Sequence, residues 1–215
     1  MVVVQNLLYT AGLGLFLEVW SRMNEAHLRI CSSPEWRAIV EEEILPNAIG
    51  DRSLGEVVLE VGAGPGLTTD AIRWMVPNLT VVELDEELAA KLAERLADTN
   101  VKVVCADASE LPFEGELFSS ALMFTMLHHV PTATLQDCIF KELCRVLRPG
   151  GLLVGSDSID TPARRELHEG GIYNPVDPET IPERLREAGF VEISLEGARN
   201  ELYDRFYFWA RVPEA

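Results

Sequence analysis

Basic residues are in short supply. Eighteen Lys and Arg stand against 35 Asp and Glu, a formal net charge of −17 at pH 7. A field of that sign repels polyanions, and affinity for nucleic acid draws chiefly on phosphate neutralisation. A nucleic-acid partner is therefore not expected. Cysteine is also sparse. Cys31, Cys105, Cys138 and Cys144 form no CxxC pair, and nothing shows metal-ligand spacing. That pattern implies reduced, mostly buried thiols in a cytoplasmic protein and no metal site. No stretch reaches the roughly 20 apolar residues of a membrane span. Residues 1–22 come nearest, but Gln5, Asn6 and Glu18 interrupt them, and no basic segment precedes them as a signal peptide requires. They read as a helix docked on the domain or an extension, with Met23 as an alternative start. Internal repeats and low-complexity tracts are missing too.

What is present is an ordinary globular balance, 47% apolar and 25% charged, in a chain long enough for one α/β domain with a substantial core. The reading is a helical extension or cap over residues 1–50 and a ligand-binding domain over residues 51–215. Pro34 opens a helix with Trp36, Ile39, Val40, Ile44 and Leu45 on one face, expected to close before Pro46. Val57-Val58-Leu59-Glu60-Val61 is a short β-branched run of the kind found in buried parallel strands. Further strands are expected over residues 79–83, 102–105, 118–124 and 152–155, with helices from Asp85 or Glu86 to about Ala97 and from Leu135 to Leu147. The turn Arg148-Pro149-Gly150-Gly151 stops the second of these helices. After a helix over residues 178–188, two strands over 190–195 and 203–212 follow with no helix between them. Gly197 to Asn200 is the expected hairpin turn. Alternating strands and helices give right-handed crossovers and a parallel sheet, so the prediction is a doubly wound, mostly parallel seven-stranded sheet with an antiparallel last strand.

The chemistry centres on Gly62-Ala63-Gly64-Pro65-Gly66, directly after the first strand. Ligands of doubly wound sheets bind beyond the carboxyl ends of the strands, where glycine lets a ligand approach the backbone closely. The spacing is GxGxG. A dinucleotide fingerprint would place its third glycine at position 67, which is Leu67, and this argues against a nicotinamide oxidoreductase. Glu83 ends the second strand, about 20 residues on, where a carboxylate captures ribose hydroxyls. Asp107 ends the third. Each acid alone reads as a turn or N-cap residue; together, beside the loop, they describe a nucleoside site. Glu60 is a charge near the end of a buried strand and needs a partner, either bracing the loop or facing a ligand ammonium group.

Val58 to Gly66, Val82-Glu83-Leu84-Asp85, Ala106 to Phe113, Leu122 to Val130 and Leu147 to Gly151 resemble the successive motifs of the class I S-adenosylmethionine-dependent methyltransferases, a Rossmann-like α/β family. The resemblance is to the branch that acts on small molecules, and it covers roughly residues 55–157. It implies S-adenosyl-L-methionine as cofactor and a small-molecule acceptor. It implies that Gly62, Ala63 and Gly64 line the methionine portion, that Glu83 holds the ribose and that Leu84 packs on the adenine. Asp107 and Ala108 would recognise that base, and Phe124 and Thr125 would border the sulfonium. His128 and His129 follow the fourth strand and are the candidate general bases, each weighed against a packing role. Residues 158–177, a stretch with little periodicity, form the expected acceptor cap, with Asp157 at the end of the preceding strand, His168 and Tyr173 as candidate substrate contacts, and the segment from His27 to Trp36 is expected to close over the site from the other side. The first half also resembles ribosomal RNA adenine dimethylases, but Phe124 to His129 departs from their Asn-aromatic tetrapeptide. A cofactor-binding protein without transfer activity is the remaining alternative.

Overall fold

The computed structural model describes residues 24–197 and 205–215. The readings made for residues 1–22 and for the turn beyond Gly197 lie outside the described residues. The chain opens with α1 (Glu25–Cys31) and α2 (Pro34–Ile39). A π turn, Val40–Ile44, joins α2 to α3 (Leu45–Ile49). Next come β1 (Val57–Val61), α4 (Leu67–Ile72), β2 (Asn78–Glu83), α5 (Glu86–Arg95), β3 (Val101–Cys105) and β4 (Phe118–Phe124). A 3-10 turn, Leu127–His129, leads to α6 (Ala133–Val146) and β5 (Leu147–Ser158). The last elements are α7 (Pro162–Leu167), α8 (Ile181–Glu187), β6 (Val191–Glu196) and β7 (Arg205–Arg211).

The seven strands form one sheet in the order β3-β2-β1-β4-β5-β7-β6. The five from β3 to β5 are parallel, and β7 runs antiparallel to both of its neighbours. Strand order reverses between β1 and β4, which places the ligand crevice at the carboxyl ends of these two strands. Alternate residues feed two cores. Leu59, Val61, Ala121, Met123 and Leu153 pack with Phe140 and Leu143 of α6 and Leu185 of α8. Val58, Val81, Leu122 and Val154 pack on the other face with Ile72, Leu92 and the early helices. A sheet covered on both faces accounts for the nearly continuous apolar strands.

Three expectations need correction. Pro46 does not end the early helix. Leu45 donates its backbone N–H to the Val40 carbonyl, five residues back, and Pro46 enters α3 in its first turn. A wide turn accommodates a residue that lacks an N–H and whose ring would crowd the preceding carbonyls. The helix thereby delivers Val40, Ile44, Leu45, Ala48 and Ile49 into the core. The turn at Arg148–Gly151 does not delay β5 to Leu152. The strand begins at Leu147, which pairs with Phe118 across a register shift before Ser120. Finally, residues 158–177 are not wholly irregular. Thr161 caps α7 by accepting the Arg164 N–H, and Pro162 takes the first turn. Among the described residues, no helix is long and apolar enough to cross a membrane.

Candidate active site

A cavity opens at the carboxyl ends of β1, β2 and β4. Gly62, Ala63, Gly64, Glu83, Leu84, Asp107, Ala108 and Phe124 line one end; His27, His129, His168 and Ile172 line the other. Trp36, Thr125 and Met126 lie between them on its walls.

The loop end is built from the first crossover. Gly62 donates its N–H to the Val82 carbonyl at 2.8 Å, which pins the loop to β2. Its φ is +73°, and a Cβ here would lie 2.7 Å from the Met126 Cβ, so only glycine fits. Glu83 is 7% exposed. Its carboxylate accepts the Gly64 N–H at 2.6 Å and the Asp85 N–H at 2.9 Å. Burial raises its pKa, and these backbone donors oppose the rise. A buried carboxylate with two N–H donors keeps lone pairs open to the cavity, the requirement for gripping vicinal hydroxyls. Asp107 uses one oxygen to accept the Ser109 N–H at 2.8 Å, which shapes the turn after β3.

Glu60 does not line the cavity. It is 1% exposed, and its two oxygens accept the hydroxyls of Thr68 and Thr69 at the start of α4. Burial pushes its pKa up to about 7, against the pull of those hydroxyls. Of the two roles considered for it, bracing is the one this geometry fits: the acid ties β1 to the helix that the loop enters.

The other end is assembled from three distant segments. Thr125, where β4 ends, has φ +56°, uncommon for a β-branched residue and the kind of backbone strain that collects at functional sites. The turn it begins is tied down from outside. Gln136 of α6 donates to the Leu127 carbonyl at 2.9 Å, and Asn174 donates its N–H to the His128 carbonyl at 2.8 Å. His27 comes from α1, capped by Asn24, whose side chain also donates to the Leu167 carbonyl at 3.1 Å and so joins α1 to α7. His168 sits at the end of α7.

The two candidate bases differ. His129 lines the cavity and hydrogen-bonds the Ile172 backbone; burial drives its pKa well below the usual imidazole value. His128 lies behind it, 1% exposed, with Nδ1 2.6 Å from Asp157 Oδ1 and its backbone N–H 3.2 Å from Oδ2. Asp157 is buried against ionisation, yet the His128 ring and the N–H groups of Ser158 and His128 hold it below the usual carboxylate range. Asp157 thus orients His128 and does not line the cavity, and neither does Tyr173. Tyr173 stacks on His168 with ring centroids 4.5 Å apart and donates to Asp160 at 3.3 Å. Burial pushes its hydroxyl pKa up to about 12. Of the three expected acceptor contacts, only His168 faces the cavity. Sequence reasoning placed His27 only within the segment from His27 to Trp36 expected to close over the site, and did not single out Met126 or Ile172 as site residues. None has a local motif; only the packing of α1 and the cap brings them in.

A glycine loop at the switch point, a buried carboxylate closing β2 and a polar turn closing β3 define a nucleoside-binding protein of the Rossmann-like class. Residues 58–151 match the family model described as a methyltransferase domain, and this match, with S-adenosylmethionine-dependent methyltransferases among the relatives, supports the class I family that the motifs resemble. Over 153 residues the chain is 31% identical to the 27-O-demethylrifamycin SV methyltransferase of Amycolatopsis mediterranei, a match covering 68% of this chain and 48% of that one. Over 100 residues it is 28% identical to a tRNA (carboxymethyluridine(34)-5-O)-methyltransferase of Arabidopsis thaliana, covering 46% and 23%. The fold is shared with the N-methyltransferase NodS of Bradyrhizobium japonicum, solved with S-adenosylhomocysteine (TM-score 0.67, 20% identity, 93% of this chain and 98% of that one). The chain spans about half the length of the first curated relatives it matches.

Proposed function

We propose that this protein transfers a methyl group from S-adenosyl-L-methionine to a small-molecule acceptor held at the histidine end of the cavity. The observation that carries this reading is the continuity of that cavity from Glu83 and Asp107 to His129 and His168. The residues fit the cofactor. Glu83 offers lone pairs to the ribose hydroxyls, Asp107 and Ala108 flank the base, Leu84 gives it an apolar face, and Gly62 to Gly64 leave room along bare backbone for the amino-acid tail. When bound, the cofactor supplies the electrophilic methyl group.

The protein's share of the work is positioning and exclusion of water. Phe124, Thr125 and Met126 border the middle of the cavity, where the acceptor must meet the methyl group in line with the departing sulfur; alignment of this kind removes several kcal/mol of barrier. For an acceptor that sheds a proton, His129 is the base within reach of the cavity, and the His128–Asp157 pair fixes the turn that carries it. The net charge of −17 and the largely apolar lining favour a small molecule over tRNA. The rifamycin relative, which acts on a small-molecule hydroxyl by its name, favours an oxygen acceptor.

Calorimetric titration with S-adenosylmethionine and S-adenosylhomocysteine, followed by labelled-methyl transfer to a panel of phenols, alcohols and bulk tRNA, tests the reading. Binding of both nucleosides and label in a small hydroxyl compound are expected. No heat with either nucleoside on folded protein removes the methyltransferase reading; label in tRNA alone removes the small-molecule acceptor.

A further inference from the structure

The chain has only four histidines, and all four meet in one place. Chance packing does not collect every imidazole of a 215-residue chain from α1, the turn after β4 and the end of α7. Three of them, His27, His129 and His168, face the cavity. Their ring centroids are 4.9, 4.5 and 5.0 Å apart, and one nitrogen from each lies within 4.8 Å of the others.

Two of the three rings also hydrogen-bond the backbone. His168 Nδ1 is 2.6 Å from the Arg164 carbonyl, so it carries the proton, and its Nε2 keeps a lone pair that is buried with no hydrogen-bond partner. His129 also hydrogen-bonds the Ile172 backbone. A buried acceptor nitrogen with nothing to accept is costly. An imidazole that gives one N–H to a backbone carbonyl and points its other nitrogen at two more imidazoles has the supporting arrangement of a metal ligand. Among the described residues no lysine or arginine lines the cavity, and the one cation that acts on His27 and His168, Arg164, stands outside the lining.

We infer that His27, His129 and His168 form a binding site for a divalent transition-metal ion of the zinc type, with its remaining coordination position open to the acceptor end of the cavity. Three imidazoles suit such an ion and are a poor match for Mg²⁺ or Ca²⁺, which take oxygen ligands. A tetrahedral zinc site spaces its nitrogens about 3.3 Å apart, from Zn–N bonds near 2.05 Å. The nitrogens, within 4.8 Å of one another, must draw closer for the ion to be bound. Three protein ligands and one open position are the pattern of a site that handles substrate, where a structural zinc site would fill all four.

The role of the ion rests on the methyltransferase reading above; with the ion bound, His129 is a ligand, and the metal replaces it as the agent that deprotonates the acceptor. An acceptor hydroxyl bound in the open position becomes more acidic and releases its proton to solvent. Its oxygen then forms the new O–CH₃ bond as the S–CH₃ bond of the donor breaks, leaving S-adenosylhomocysteine and the methyl ether. Metal binding would also draw α1, α7 and the β4 turn together over the acceptor, closing the cavity on the side away from the glycine loop.

The test uses tag-free, chelator-stripped full-length chain titrated with Co²⁺ and, separately, Zn²⁺, with S-adenosylhomocysteine calorimetry run in parallel. The expected result is one Co²⁺ per chain, with a visible ligand-field spectrum that Zn²⁺ abolishes by competition and that acetohydroxamate, a small oxygen ligand, perturbs. His27→Ala and His168→Ala should each weaken Co²⁺ binding on the order of 100-fold. Both should keep their nucleoside affinity, which shows that they fold and that the loop end is intact. Wild-type protein that binds the nucleoside but takes up no Co²⁺ or Zn²⁺ overturns the metal site and leaves the methyltransferase reading standing. Metal uptake with no nucleoside binding does the reverse. Metal affinity unchanged in both variants overturns the ligand assignment. A Co²⁺ spectrum indifferent to acetohydroxamate overturns the open position. Should either variant misfold, the wild-type stoichiometry and spectrum decide.

Discussion

The two ends of the cavity are built on opposite plans. The glycine-loop end comes from one crossover and its neighbours: β1, the loop, and the ends of β2 and β3. Its polar groups are acids, and backbone N–H groups or hydroxyls meet them. The histidine end draws on three segments far apart in sequence, and its polar groups are imidazoles facing one another. The first plan gives a rigid cradle fixed by the sheet. The second gives a site that exists only when α1 and α7 are docked, a geometry able to respond to what binds there.

The sharpest way to break this contrast is Glu83→Ala. If the loop end alone binds the nucleoside, losing two charge-assisted hydrogen bonds to the ribose should weaken S-adenosylhomocysteine binding on the order of 1,000-fold, about 4 kcal/mol. Co²⁺ binding should not change. Calorimetry reads both; nucleoside affinity within tenfold of wild type would refute the ribose assignment.

The second effect in size comes from Glu60. Its folded pKa of about 7 lies above the unfolded carboxyl value, so the native state holds this proton more tightly. The stability it contributes is present below pH 4.5 and is lost as pH rises toward 7. At pH 8 the loss is about 3 kcal/mol. Glu60→Gln cannot ionise, and it keeps an oxygen and an amide to meet Thr68 and Thr69. The variant should be more stable than wild type at pH 8, and the difference should shrink as pH falls toward 5. Urea unfolding at the two pH values measures this. A difference independent of pH would show that the buried acid stays ionised in the folded protein.

The same contrast explains what was legible in the sequence. Gly62, Gly64, Glu83 and Asp107 stand in chain order at successive strand ends, so local pattern and sheet topology were enough to place them at one cavity end. The reversed last strand was visible because two strand patterns followed α8 without a helix between them. His27 was reached only as part of a segment expected to close over the site; its own role was not legible, because its partners lie on other elements. His128 and His129 were found together, but adjacent residues on a 3-10 turn point different ways; only the structure shows that His129 faces the cavity while His128 is buried on Asp157. The cap helix α7 was a different kind of miss. Thr161 followed by Pro162 is a local N-terminal signal, outweighed by the lack of periodicity in so short a helix. At Pro46 the rule was sound, but its consequence was a widened turn instead of an end.

Gly62→Ala probes the seam between the two ends. The new methyl group would meet Met126 at 2.7 Å on a backbone with φ +73°. Strain and repacking together should cost about 2 kcal/mol, a fall in Tm of roughly 4–8 °C for a chain of this size. Because Met126 leads into the turn carrying His129, metal affinity should fall along with nucleoside affinity. A loss confined to the nucleoside would show that the ends are mechanically independent.

The smallest effect concerns acid. Burial, with help from His168 and His128, lowers the His27 pKa to about 3, and burial lowers those of His129 and His168 as well. For a histidine whose folded pKa is depressed, the unfolded chain binds the proton first. The stability is therefore present above pH 6.5 and lost as pH falls below it, opposite in sign to Glu60. At pH 5, metal-free protein should have lost about 1–2 kcal/mol on account of His27 alone. His27→Phe keeps a ring that fills the same space and cannot take up a proton. Thermal unfolding of chelator-stripped wild type and variant should diverge between pH 7 and 5, with the wild type falling faster by a few degrees. Parallel curves would mean that the His27 imidazole accepts its proton inside the folded protein. The histidine end would then tolerate charge, and the contrast with the carboxylates of the loop end would be one of residue type alone.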